Sequence, residues 1–102
     1  MQAIVPGHSY ECRHFADREA SQVLRFIHKE PVEPGSQELR LVSDGTTNEE
    51  VLAVLIDRLQ YLQAKSPCRE NAIVITKLEE SLMWLEKRTA DRKTRGVEGR
   101  NV

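Results

Sequence analysis

The sequence predicts an α+β protomer, a small N-terminal antiparallel β-sheet followed by an antiparallel two-helix hairpin, in a chain that associates with copies of itself. Three observations lead there. Apolar residues alternate in the first half but recur every three to four positions in the second, with the change at Asp44-Gly45. A single Ser66-Pro67 dipeptide interrupts the helical half. With 102 residues the chain has room for one domain, 1–102. A chain of that size buries only about 60 to 70% of its unfolded surface, which favours sharing apolar surface between copies.

Residues 8–44 read as short extended segments at 10–15, 23–29 and 38–42, separated by turn-rich stretches at 16–21 and 31–36. A three-stranded meander is the expected arrangement. In the third segment Leu39 and Leu41 fall on one face, with Glu38 and Arg40 on the other.

Thr47, followed three residues later by Glu50, forms a capping box for a helix start. Val51, Leu52, Leu55, Leu59 and Leu62 then mark an apolar stripe to about Ala64, opposite Asp57, Arg58 and Gln60. Ser66 is a suitable N-cap for a second helix, and Pro67 suits its first turn. Ala72, Ile75, Leu78, Leu82 and Leu85 give that helix its stripe, and Gly96 stops it after about Lys93. The short link folds the helices back into a hairpin over 47–94, leaving 97–102 as a loose tail.

The 15 Lys and Arg are balanced by 16 Asp and Glu, a formal charge of -1, which argues against binding a DNA or RNA polymer. Small anions remain suitable ligands. Cys12 and Cys68 form no Cys-x-x-Cys pair, so no disulfide or zinc framework is implied. Pro6, Gly7 and His8 fall where a signal peptide needs an apolar run, and no segment reaches membrane-spanning length. A soluble protein of a reducing cytoplasm, without a membrane partner, is expected.

No nucleophile with its base, carboxylate pair or metal cluster is recognisable, so no enzyme, metal or cofactor is expected. His8, Cys12 and His14 lack a fourth ligand, and a surface His pair with a buried Cys is the commoner outcome. Glu79 and Glu80 point about 100° apart on a helix and cannot share one substrate atom. Of Met83 and Trp84, one is expected to pack and the other to meet a partner subunit.

Two features suit a phosphate-bearing ligand. Arg88 and Arg92 lie one turn apart within the basic run from Lys87 to Arg95. Composition alone favours a plainer role for them, complementing the helix dipole and meeting Asp91. At the other end, Tyr61 offers a ring for stacking and Asn71 a donor and acceptor, beside helix amides that favour an anion. Tyr61 as a packing residue and Asn71 as a local cap fit equally well. Asn71 and Arg88 are seventeen positions apart, about 25 Å along a helix, so one chain cannot close both around a small ligand. A second chain packed head to tail would.

The stretches TTNEEVLAVLIDRLQYLQ (46–63) and CRENAIVITKLEESLMWLEKRTADRKTRGVEG (68–99) resemble the phage Thoeris anti-defence sponge family, whose helical hairpin is shared with the anti-CBASS sponges. The resemblance implies a non-catalytic protein in the cytoplasm of an infected bacterium. It would bind a cyclic nucleotide immune signal, chiefly a cyclic ADP-ribose isomer and in some members cyclic di- or trinucleotides. It also implies a homodimer able to assemble into a hexamer. By position in the motif, Tyr61 corresponds to the base-stacking aromatic, more usually Phe, Asn71 to the polar contact, and Arg88 and Arg92 to the phosphate-gripping arginines. Arg40, alternating away from Leu39 and Leu41, is a further ligand candidate from the less distinctly matched N-terminal part. The competing readings are a helical-hairpin adaptor for another protein and an enzyme that degrades the same nucleotide.

Overall fold

The computed structural model describes residues 1–96, so the expected tail at 97–102 lies outside the described residues. The chain divides into two compact units, Met1–Thr47 and a helical unit that begins at Asn48. The first holds β1 (Gln2–Val5), β2 (Ser9–Arg13), β3 (Ser21–Arg25), β4 (His28–Pro31) and β5 (Leu39–Ser43). The second holds α1 (Asn48–Lys65) and α2 (Arg69–Thr94).

The strands form two antiparallel sheets, β1-β2-β3 and β4-β5, in place of the single expected meander. Strand β1 went unread because its signal is the turn after it. His8 N–H donates to the Val5 carbonyl at 2.9 Å, and Gly7 has φ 81. Pro followed by a positive-φ Gly is the signature of a type II turn. The segment read as one strand over 23–29 splits at Phe26 and Ile27 because their backbone bonds to a third segment. Thr46 N–H donates to the Arg25 carbonyl, and Ile27 N–H to the Thr46 carbonyl, both at 2.9 Å. That crossing leaves no room for a side chain at position 45, where a Cβ would sit 2.5 Å from the Arg25 carbonyl oxygen.

Rings join the elements where strands stop. His8 stacks on His28 with centroids 3.5 Å apart, and Tyr10 meets Phe26 edge-on at 6.0 Å. His8 therefore pairs with His28, not His14, and Cys12 is half-buried.

Helix α1 starts directly after Thr47. Helix α2 begins later than expected: its N-cap is Cys68, with φ -148 and ψ 157, whose thiol accepts the Asn71 N–H at 3.4 Å. Ser66 and Pro67 are left in the link. At the far end Gly96, φ 70, follows the last turn and its N–H donates to the Lys93 carbonyl at 3.0 Å.

The least exposed positions of α2, namely Asn71, Ile75, Leu78, Leu82, Leu85, Thr89 and Arg92, alternate four and three apart. On α1 the half-buried positions are Glu49, Val51, Leu52, Ile56, Leu59, Leu62 and Gln63, and Glu49, Leu52, Ile56, Leu59 and Gln63 among them keep the same spacing. That spacing is the one expected of a seam between two packed helices. It corrects two expectations, because Leu55 is 42% exposed and Ala72 also lies outside the seam, while Ile56 and Asn71 take their places. Two helices form only one layer, and a layer cannot enclose a side chain by itself. Accordingly, among the described residues no apolar side chain is buried, and Ser9 is the one buried polar residue.

Candidate ligand site on the helical hairpin

The link end is built around Gln63 and Cys68. The Gln63 amide donates to the Cys68 carbonyl at 2.8 Å and accepts its N–H at 3.0 Å, so one side chain closes the connection between helices. This fixes Tyr61 on the last turns of α1 and Asn71 on the first turn of α2.

Tyr61 is 59% exposed and does not pack into the seam. The Lys65 ammonium lies 4.6 Å from its ring centroid, a cation–π contact that covers one ring face. A shallow groove lined by Ala53, Val54, Asp57, Arg58 and Tyr61 runs along the same helix. Asn71 is not the cap of α2, since Cys68 is; only its backbone is used there, and its half-buried side chain lies on the seam line. The two residues thus share the link end of the hairpin, Tyr61 exposed outside the seam and Asn71 half-buried on it.

At the opposite end, Asp91 is paired with Lys87, Nζ to Oδ2 at 3.2 Å. It is therefore not the arginines' counterion. Arg88 is exposed and Arg92 half-buried at the end of the seam, and neither has an ion pair or side-chain hydrogen bond among the described residues. Arg92, in the last turn, gains modestly from the negative end of the helix dipole, and both guanidinium groups retain their full donor sets for an anion. A second cleft lies here, lined by Glu49 of α1 with Glu86, Thr89, Ala90 and Lys93 of α2. Its lining was not legible in the sequence, because which α1 residue faces which α2 residue depends on the link geometry.

Helix α2 is continuous for 26 residues. Asn71 and Arg88 therefore remain about 25 Å apart within one chain, too far to serve one small ligand together. Arg40, in the first unit, pairs with Glu30 across the β4-β5 ladder, Nη2 to Oε2 at 3.7 Å. His28 shares that carboxylate, its Nε2 lying 3.2 Å from Glu30 Oε1. Met83 and Trp84 are 54% and 58% exposed, so neither packs within the chain as one was expected to. Among the described residues no three His, Cys, Asp or Glu side chains are grouped to hold a metal ion, and no helix is long and apolar enough to cross a membrane.

Residues 22–90 match the family model described as the Acb2/Tad1 hairpin domain. The match takes in Arg40, Tyr61, Asn71 and Arg88, while Arg92 falls two positions beyond it. The chain is also similar to Thoeris anti-defense 1 of Bacillus phage SBSphiJ7, with 60% identity over 58 residues. Those residues are 56% of this chain and 41% of the relative, so the match spans less than half of that protein's length. A hairpin of this register, matched over more than half of its chain by the family model, places the protein in the Acb2/Tad1 hairpin-domain family.

Proposed function

We propose that this protein is a phage anti-defence protein that sequesters a cyclic nucleotide immune signal, a cyclic ADP-ribose isomer in the first instance, inside the infected bacterium. It holds the signal without cleaving it. The 60% identity to a protein named for countering Thoeris defence supports the biological role. The same hairpin architecture extends the ligand class toward cyclic di- and trinucleotides and the role toward CBASS immunity.

In this reading each site spans two chains of a homodimer, which can assemble further into a hexamer. Tyr61 and Asn71 of one chain stack on the base and bond its polar edge. Arg88 and Arg92 of the other supply charge-assisted bonds to the pyrophosphate. Arg40 is a further contact, which would have to exchange Glu30 for the ligand. The carrying observation is the unbroken α2, with Asn71 on its first turn and the two arginines on its last turns. The exposed apolar residues Ile73, Val74, Met83 and Trp84 of α2 give a second chain a surface to cover. Binding then needs no nucleophile or metal, only slow release.

Complementation tests the two-chain site. Tyr61→Ala/Asn71→Ala and Arg88→Ala/Arg92→Ala chains, each inactive alone, should regain one cyclic ADP-ribose site per mixed dimer when co-expressed. Mixed dimers that stay inactive while wild type binds would contradict it.

A further inference from the structure

Building on the nucleotide-binding reading, we propose that Asp57 and Arg58 extend the Tyr61 end of the site, Asp57 accepting from a free hydroxyl of the adenine-bearing ribose and Arg58 donating to the adjoining phosphate.

The groove beside Tyr61 is made by two neighbouring rows of α1. Ala53, Asp57 and Tyr61 follow one another at four-residue steps, and Val54 and Arg58 stand alongside. Helical side chains lean toward the N-terminus and cover the turn before their own. The Tyr61 ring therefore leans over the turn that bears Asp57 and Arg58, just as Lys65 leans back over Tyr61 to bring its ammonium 4.6 Å from the ring centroid. The cation takes one ring face, which leaves the other for a stacked base, and the other groove residues all lie on the turns before Tyr61.

The lining is amphipathic in the way a nucleoside is. Tyr61 forms the aromatic wall at one end, and Ala53 and Val54, 61% exposed, give the groove an apolar end about two turns away. A carboxylate and a guanidinium stand one turn away, about 5 Å along the axis. A base lying against Tyr61 places its ribose at about that remove, with the phosphate beyond.

Asp57 and Arg58 are also available. Consecutive helix residues do not face one another, so they do not neutralise each other. Neither has an ion pair or side-chain hydrogen bond among the described residues. Their opposite charges impose separate requirements. A carboxylate is an acceptor only, so Asp57 favours a hydroxyl at its position and disfavours a phosphate there. Arg58, a donor only, selects the reverse. The pair thus orients the nucleotide along α1 and rejects a ligand whose ribose hydroxyls are substituted at the Asp57 position.

The test uses the full chain and two probes: the cyclic ADP-ribose isomer that wild type binds, and its analogue lacking free hydroxyls on the adenine-bearing ribose. Wild type should bind the parent about 10 to 100-fold more tightly than the analogue, the range expected for a hydrogen bond to a charged group. Asp57→Asn should shrink that preference to under about threefold, and Arg58→Gln should weaken both probes by about tenfold while leaving the preference intact. Both residues are exposed, so unchanged helical circular dichroism serves as the folding control. If wild type binds and discriminates but Asp57→Asn discriminates equally, the inference fails while the sponge reading stands. If wild type binds no isomer, the sponge reading fails and takes the inference with it.

Discussion

Gln63 and Cys68 hold one another across the inter-helix link: the Gln63 side-chain amide bonds both the carbonyl and the N–H of Cys68, at 2.8 and 3.0 Å. Cys68 in turn caps α2 through its thiol. The turn that separates Tyr61 from Asn71 is therefore tied by the Gln63 side chain, five residues before Cys68.

Loss of this clasp should loosen the hairpin. Gln63→Ala is expected to cost about 1 kcal/mol, the lower part of the range for two exposed hydrogen bonds. Cys68→Ser should instead stabilise by about 0.5 to 1 kcal/mol, because a hydroxyl is the better N-cap acceptor. Urea titrations at fixed protein concentration measure both, and a neutral Gln63→Ala would show that the link is held by something else.

Position 45 tests the strand crossing. A methyl there meets the backbone of Arg25 and Phe26 at 2.5 to 2.8 Å, and backbone cannot swing aside as a side-chain tip would. Gly45→Ala should lower stability by about 2 kcal/mol or more. A midpoint within about 1 °C of wild type would mean that Thr46 does not lie against the Arg25 carbonyl.

The exposed aromatic on α2 tests self-association. Trp84 is 58% exposed in the single chain, and in the proposed dimer a charge placed there would face an apolar partner surface. Trp84→Glu should convert the oligomer to monomer in sedimentation velocity while α2 keeps its helical signal. An oligomer that persists at micromolar concentration would move the interface to another face.

Arg92→Ala should weaken cyclic ADP-ribose binding by about 10 to 100-fold, the loss of one charge-assisted contact. The oligomeric state should not change, since Asp91 is already paired with Lys87 and does not depend on Arg92. Isothermal titration and sedimentation on the same sample separate the two effects.

Much of the helical half was legible in the sequence because its signals are local. Thr47 before the α1 start, the turn at 66–68 and Gly96 after α2 all mark boundaries by their own chemistry. What failed there depended on tertiary register. Leu55 and Ile56 are adjacent and equally apolar, and only the partner helix decides that Ile56 turns inward. The Cys68 cap displaced Ser66 because Gln63, out of view of any capping pattern, fixes the backbone of residue 68. In the strand half, segment 23–29 looked continuous because its interruption is caused by Thr46, twenty residues later. The candidate site was legible as residue types at two helix ends. The grooves beside Tyr61 and between Glu49 and Lys93 were not, since they arise from helix packing and side-chain lean.

Capture without destruction is the central claim, and a thermal shift followed by ligand recovery tests it most directly. Purified protein is melted with each of a panel of cyclic ADP-ribose isomers and cyclic oligonucleotides, and the ligand released by heat is analysed by mass spectrometry. A ligand that binds only the native state at a hundred times its Kd stabilises by about 2.7 kcal/mol, several degrees for a domain of this size. The expected result is a large shift with a cyclic ADP-ribose isomer, returned at its original mass and in stoichiometric amount. No shift with any member of the panel, or a product of altered mass, would contradict it.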